Sequence, residues 1–489
     1  MKIKNNYILA AVFATMLGTT SCENFLDINN DPNNPSSSTP TLTLPAGFGE
    51  LAYVLGNQFQ FLGNFYAQHW TQSGGANQYC DLEQYQMTSS TYDTRVWAEF
   101  YAGALNDFKY VADQGNALNN PNYAAIGEIM QVYTVQVVTD AWGDVPYTTA
   151  LQSLENLSPE YQSQEEIYTG LITQLDAAIE KIGTGAGIAG QDDLVFGGDM
   201  DLWRKFANTL KLKIYLRQAY VRPQVAEAGI KAMYAAGAEF LGMDETADIE
   251  FFNQTQNRNP FFQTQVTFRG GVDVVASNTS LEFLQTTNDA RLDNFYAPAE
   301  EGTNAGKFIG VNQGVECTPK RPGLLATNYS KPGPAVASPT TAIPLIGAAE
   351  SYFLQAEAVA RGWGSGSTAA SLYEQGIRAS FDYVGESDAA ATALLQQPGV
   401  AYAGGTVEEQ VEQIITQKWL SFNGTQGFEA WTEYRRTGYP SFIEPSAASN
   451  LGGSLLPKRI IYPNSEATRN ENYPGLQEVS VPVWWDVKD

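Results

Sequence analysis

The chain has 489 residues, a net charge of −25, 12% aromatic residues, one histidine and three cysteines. So large an excess of acid argues against nucleic acid as a partner, because phosphates need a basic face. With His69 the only histidine, a three-histidine metal centre is excluded and any Ser-His-Asp or Cys-His scheme depends on that one ring.

At the N-terminus Lys2 and Lys4 precede an apolar run from Tyr7 to Leu17, then Thr19-Thr20-Ser21 and Cys22. A basic start, a short apolar centre and small residues before a cut describe a secretory signal over residues 1–21, too short in its apolar part to span a bilayer. Cys22, directly after the small residues, predicts a lipidated first residue of the mature protein, held to a membrane by its acyl chains. Thr19 stands where such a site more often has leucine. No other stretch reaches the about 18 apolar residues of a transmembrane helix. Residues 22–45, with Asn29-Asn30-Asp31-Pro32-Asn33-Asn34-Pro35 and no apolar period before Leu42, read as a tether.

Helical spacing follows. Val96, Trp97, Phe100, Tyr101, Ala104, Leu105, Phe108 and Val111 recur at three and four, as do Ile126, Ile129, Met130, Tyr133 and Val137. Ser163 and Glu166 form a capping box ahead of Ile167, Leu171, Leu175 and Ile182. Trp203, Phe206, Leu210 and Ile214 mark a further helix that Pro223 ends or restarts. Residues 240–345 carry Pro and Gly among short apolar pieces without a period and read as an irregular insert. Helical pairing then resumes over Ala349–Arg361, Ala369–Tyr383, Val407–Phe422 and Gly427–Arg436. The expected fold is mainly α, a tetratricopeptide-like scaffold of helical pairs (46–239 and 346–489) around a loop-rich insert (240–345), in one domain from 46 to 489. A plain helical bundle accounts for the same residues.

Aromatics on the helical stripes, such as Trp97, Phe100, Trp203 and Trp419, are expected in the core. Aromatics in polar loops are the candidates for binding. One such segment carries His69, Trp70, Gln72, Asn77 and Tyr79 around Gly74-Gly75. A second carries Asn257, Asn259, Phe261, Phe262, Phe268 and Arg269 in the insert. Both combine flat rings with amide groups, and the second adds the Arg269 guanidinium, as a sugar's apolar face and ring of hydroxyls require, although packing against a partner protein fits them equally. Apart from Cys22, Cys80 and Cys317 remain; they could pair in an oxidising compartment, but two small buried side chains are the favoured reading. Nothing in the sequence assigns a cofactor, and binding of a metal through oxygen ligands is left open.

Several motifs occur in a fixed order: Cys22-Glu23-Asn24-Phe25-Leu26-Asp27 with Asn30-Asp31-Pro32-Asn33, Asp140-Ala141-Trp142-Gly143-Asp144-Val145-Pro146-Tyr147, Asn288-Asp289-Ala290-Arg291-Leu292, Ala349-Glu350-Ser351-Tyr352-Phe353-Leu354-Gln355-Ala356-Glu357-Ala358, Gln417-Lys418-Trp419 and Arg435-Arg436-Thr437-Gly438-Tyr439-Pro440. Together they resemble the SusD/RagB family of outer-membrane lipoproteins of Bacteroidetes, over nearly the whole mature chain. The resemblance implies a helical binding protein without covalent chemistry. It would be anchored in the outer membrane and face the exterior, with Glu23 and Asp27 resembling the surface-export signal. Its partner would be a SusC-like TonB-dependent transporter, to which it delivers oligosaccharides or, in other members, peptides. The family's ligand residues do not lie in these motifs, which read as structure: Asp140 and Asp144 beside a helix end, Arg435-Arg436 as a paired cluster. The rivals are a lipid-anchored glycosidase using Asp140 and Asp144 across a cleft, and a helical-repeat scaffold.

Overall fold

The structure is a computed structural model that describes residues 38–152, 155–183, 187, 190–318, 324–453 and 455–488. The expected signal and Cys22 lie outside the described residues. Among those described, no helix is long and apolar enough to cross a membrane.

From Pro40 the chain forms one compact unit. Its longer helices are α1 (Pro40–Leu55), α2 (Gln58–Tyr66), α3 (Leu105–Ala117), α4 (Pro121–Trp142), α5 (Gln164–Lys181), α6 (Met200–Arg217) and α7 (Pro223–Ala235), then α8 (Asn278–Thr286) in the insert. After it come α9 (Ala348–Ala360), α10 (Ala369–Tyr383), α11 (Val407–Ser421) and α12 (Gly427–Thr437). The first helix starts inside the segment read as tether. Pro40 suits a first helical turn, and Leu44, Phe48 and Leu51 sit on the core at helical spacing.

Local chemistry sets several boundaries. Asn120 caps α4, with Pro121 in its first turn. Both halves of the Ser163–Glu166 box are present at α5, and Thr406 with Glu409 forms another at α11. Neighbouring helices pair, α3 with α4, α4 with α5 and α9 with α10, while α12 returns to lie on α2. That return is a backbone-to-backbone approach, since a Cβ on Gly63 would fall 2.0 Å from the amide nitrogen of Phe428. Trp97, Phe100, Trp203 and Trp419 are all buried, as their spacing predicts.

The strands are short and paired two by two. β4 (Ala247–Ile249) and β8 (Ile343–Ile346) run antiparallel and close the neck of the insert. β1 (Trp70–Gln72) pairs with β5 (Val274–Ala276), tying the end of α2 to the insert. β2 (Val145–Pro146) pairs with β3 (Tyr161–Gln162), and β6 (Tyr296–Ala297) with β7 (Lys331–Pro332).

The motif residues meet in the interior as charge pairs. Arg217 on α6 contacts Asp140 on α4 at 3.3 Å and Glu429 on α12 at 2.6 Å. Lys213 lies 3.0 Å from both Glu350 and Glu429, and Lys418 lies 3.3 Å from Glu433. Arg436 holds Glu357 and Glu433, each at 2.6 Å. Burial raises a carboxyl's pKa, but Arg436, Lys418 and Arg217 outweigh it and hold Glu433 well below its ordinary range. The Asn288–Leu292 motif makes its own buried pair, in which Arg291 donates to Asp289 at 3.0 and 2.6 Å, to Ser380 on α10 at 2.7 Å and to Gln417 on α11 at 3.2 Å.

Candidate functional site

The β1–β5 ribbon sets Gln72 opposite Val274 and thereby joins the two loop segments singled out in the sequence. The Ser73 amide donates to the Asp273 carbonyl at 2.8 Å, and the Gln72 side chain donates to the same carbonyl at 2.9 Å while accepting from the Tyr79 amide at 2.7 Å. One glutamine thus fixes both ends of the Gly74-Gly75 loop against the insert.

The ribbon is covered on both faces, so the candidates nearest it are not rim residues. Trp70 is 0% exposed, its ring 4.7 Å from that of Phe261, which is equally buried. His69 is buried against Trp419 at 4.8 Å, with Nδ1 2.9 Å from Asn64 Oδ1. Burial pushes its imidazole down to about 3, so it is neutral at physiological pH. Asn259 is buried as a local clasp, donating to the Thr341 carbonyl at 2.8 Å and accepting from the Phe262 amide at 3.0 Å. His69, Trp70, Gln72, Asn259 and Phe261 therefore stand behind the surface they were expected to form. A strand buried on both sides and a ligand rim share the same composition, and the alternation that would separate them is missing from three residues.

The remaining candidates face outward. Asn77 and Asn257 are exposed, and Tyr79 is half-buried with its ring on Phe61 at 4.5 Å. A wide helical turn over Phe262–Phe268 ends in Gly270 and Gly271 at φ 68° and 65°, the left-handed backbone that glycine takes without strain. That reversal leaves Phe268 76% exposed at the tip, beside an exposed Arg269 whose Nη2 donates to the buried Asp273 carboxylate at 3.0 Å. Phe262 is half-buried at the other end of the turn.

A third segment completes this face. Cys80 and Cys317 are joined, with Cα atoms 5.4 Å apart across a sequence separation of 237 residues. Of the two readings of these cysteines, the structure has the less favoured one, the disulfide. The pairing depends on the insert folding back onto the loop after β1. Beyond the bond, Leu325 is 58% exposed and its side chain lies against Gly75. Beneath it, Glu83 accepts from Thr71 Oγ1 at 2.6 Å, the Gln72 amide at 3.1 Å and Gln313 Nε2 at 3.0 Å. Burial nevertheless raises its carboxyl to about 7 against the pull of these hydrogen bonds.

At the other end of the ribbon lies a groove that the sequence did not signal. It encloses about 730 Å³ between α8 and the Phe442–Ala447 segment, and its lining comes from stretches far apart in the chain. The exposed Phe442, in the loop after α12, is the one local sign of it.

The carboxylates of the glycosidase reading share no cleft, since Asp144 is exposed at a cavity of about 390 Å³ that Asp140 does not line. Asp140 is buried, accepting from Trp485 Nε1 at 2.8 Å and from Tyr168, and Asp144 accepts from the Gln164 amide at 2.8 Å. Among the described residues, no group of His, Cys, Asp and Glu could hold a metal ion.

Residues 32–463 match a SusD-like family described as starch-binding and associating with the outer membrane. The chain belongs to this SusD-like family. Among solved structures, a chitin-binding protein superposes with a TM-score of 0.76 at 26% identity, over 90% of this chain and 100% of its own. A SusD homologue from Bacteroides uniformis has a TM-score of 0.75 at 26% identity, over 91% of this chain and 99% of its own. Another, from Bacteroides fragilis, has a TM-score of 0.75 at 25% identity, over 93% and 100%. No curated protein matches the chain. The mainly helical architecture, with its few short strands, is thus that of SusD-like proteins, and the buried charge pairs are how this SusD-like chain uses the motifs that carried the resemblance.

Proposed function

We propose that this protein captures oligosaccharides at the outer membrane and passes them to a SusC-like TonB-dependent transporter, with no covalent step. The observation that carries the reading is Phe268, a ring 76% exposed on a loop that is itself held by Asp273 and the β1–β5 ribbon. A large ring left in water on a fixed support is a platform for an apolar face, and Arg269, Asn77 and Asn257 stand in the same two segments to meet hydroxyls. Fixing the loops before the ligand arrives lowers the ordering cost of binding. The chitin-binding neighbour, at 26% identity over most of both chains, supports a neutral polysaccharide as the substrate class. Anchoring through Cys22 completes the reading, because capture next to a transporter needs only a tether.

Calorimetric titration with chito- and malto-oligosaccharides and a mixed peptide pool, with product analysis of the same samples, tests it. Saturable saccharide binding without product is expected, weakened about tenfold or more by Phe268→Ala. Cleaved product would overturn capture without chemistry. Peptide binding alone would replace the ligand class, and unchanged binding in Phe268→Ala would remove the site from this face.

A further inference from the structure

The groove at the far end of the ribbon is a separate volume. The Gln72–Val274 end of the strand pair leads to the Phe268 face, whereas the Trp70–Ala276 end leads to Asn278 at the start of α8, roughly 10 Å away along the strands. Its walls are held together: Thr279 Oγ1 donates to Gln68 Oε1 at 2.8 Å, and Gln68 Nε2 donates to the Glu444 carbonyl. Phe442 and Phe283 stack at 5.6 Å and 28°, with Phe442 40% exposed. The same two rings also border an adjoining cavity of about 530 Å³ that runs along α11 past Glu412 and Gln413. A pair of ring faces thus forms a ridge between two connected volumes.

The polar lining has one sign. Glu282 and Glu444 are exposed at the first cavity, Glu412 lines the second, and no Lys or Arg is among the described residues lining either. On the floor, the Gln313 side-chain NH₂ is spent on the Phe65 and Trp70 carbonyls at 3.2 and 3.1 Å and on Glu83, leaving its Oε1 buried without a partner. A buried acceptor without a donor is costly.

We infer that this groove is a second ligand site, which takes an oligosaccharide bearing protonated amino groups. Ring faces suit the C–H side of each sugar, the amides of Asn278, Asn312 and Gln413 suit its hydroxyls, and Glu282 and Glu444 suit the ammonium groups. The field of such a lining draws cations and repels anions. Apart from Gln313, whose amide also reaches Glu83 beneath the Phe268 face, the inference uses none of the residues assigned to that face.

The probes are a glucosamine tetramer and its fully N-acetylated counterpart, titrated calorimetrically into the whole protein at a pH where the amines are protonated. The glucosamine tetramer is expected to bind more tightly, and more weakly as salt is raised. Phe442→Ala should weaken both probes, and the Glu282→Gln/Glu444→Gln double variant should weaken the glucosamine tetramer alone, each by about tenfold. Both titrations are made in the Phe268→Ala background, so that binding at the Phe268 face does not contribute. All four substituted side chains are exposed, and thermal melts check that the variants fold. Absence of binding, tighter binding of the acetylated tetramer in that background, or binding unchanged in the groove variants would overturn the inference. Tetralysine binding with the same sensitivity to the groove variants, and no sugar binding, would overturn it in favour of a basic-peptide site.

Discussion

Arg436 and Glu357 meet as a buried fork, with Nη1 and Nη2 of the guanidinium donating to the two carboxylate oxygens at 2.8 and 2.6 Å. Neither side chain reaches water, and Arg436 also serves Glu433 while Arg361 serves Glu357 at 2.9 Å. The pair joins α12 to α9, and through Glu433 and Arg217 the chain of contacts reaches α6 and α4. Helices from the two halves of the scaffold are thereby clamped on either side of the insert. Charges buried this way are retained only with good geometry and saturated hydrogen bonding, which fixes the register of the helices they join.

Removing one partner of that fork leaves the other charge uncompensated in the interior. Arg436→Ala is expected to cost about 3–5 kcal/mol of folding stability, measured by urea denaturation. The same carboxylates set the acid limit. Burial raises Glu357 and Glu433, but the neighbouring cations more than reverse this, so their folded pKa values lie below the ordinary 4.5. Their contribution is complete above pH 4.5 and is lost as the pH falls through the depressed values, so the melting temperature should drop steeply below pH 4.5.

Glu83 acts in the opposite sense. Burial lifts its folded pKa from 4.5 to about 7, so its contribution is complete below pH 4.5 and is lost as the pH rises through about 7. Glu83→Gln keeps an acceptor for Thr71, Gln72 and Gln313 but cannot ionise. Its stability relative to the parent should rise between pH 5 and pH 8 by up to about 3 kcal/mol, read from urea unfolding at the two pH values. Parallel pH profiles for parent and variant would show that Glu83 is not the titrating group.

The helical scaffold was legible because its signals are local. Ser163 and Glu166 are three residues apart, and Trp97, Phe100 and Trp203 fall on stripes whose period the core enforces. Arg435-Arg436 read correctly as structural, Arg436 being held by Glu357 and Glu433 and Arg435 by the Asp140 and Lys458 carbonyls. The site was legible only in part. Phe268 and Asn77 stand where loop composition puts them, but Trp70 and His69 sit behind the surface because β1 is covered on both faces, a condition set by β5 some two hundred residues away. The disulfide and the Phe283–Phe442 groove are likewise products of the return of the insert and of the chain after α12. No short window of sequence carries either.

The Cys80–Cys317 bond closes a long loop, and loop closure of the unfolded chain is what such a bond restricts most. The double variant Cys80→Ser/Cys317→Ser should lose about 2–5 kcal/mol in denaturant. Saccharide affinity at the Phe268 face should fall as well, because Gly74-Gly75 and Leu325 lose their common support. Unchanged affinity in a folded double variant would mean that the ribbon and Gln72 suffice to hold the loop.

Trp70 and Phe268 lie in the two loop segments and had equal standing as sugar platforms, yet their surroundings demand opposite behaviour. Trp70 packs between Phe61 and Phe261 with no exposed surface, so Trp70→Ala opens a cavity and should cost about 3–5 kcal/mol. Its effect on saccharide affinity should track the fraction unfolded and vanish at temperatures where the variant is fully folded. Phe268 has almost nothing to lose in packing, so Phe268→Ala should leave stability within about 0.5 kcal/mol of the parent while affinity falls. Melting curves and titrations on the two variants separate the roles. An affinity loss in well-folded Trp70→Ala that exceeds the loss in Phe268→Ala would move the platform back to the ribbon.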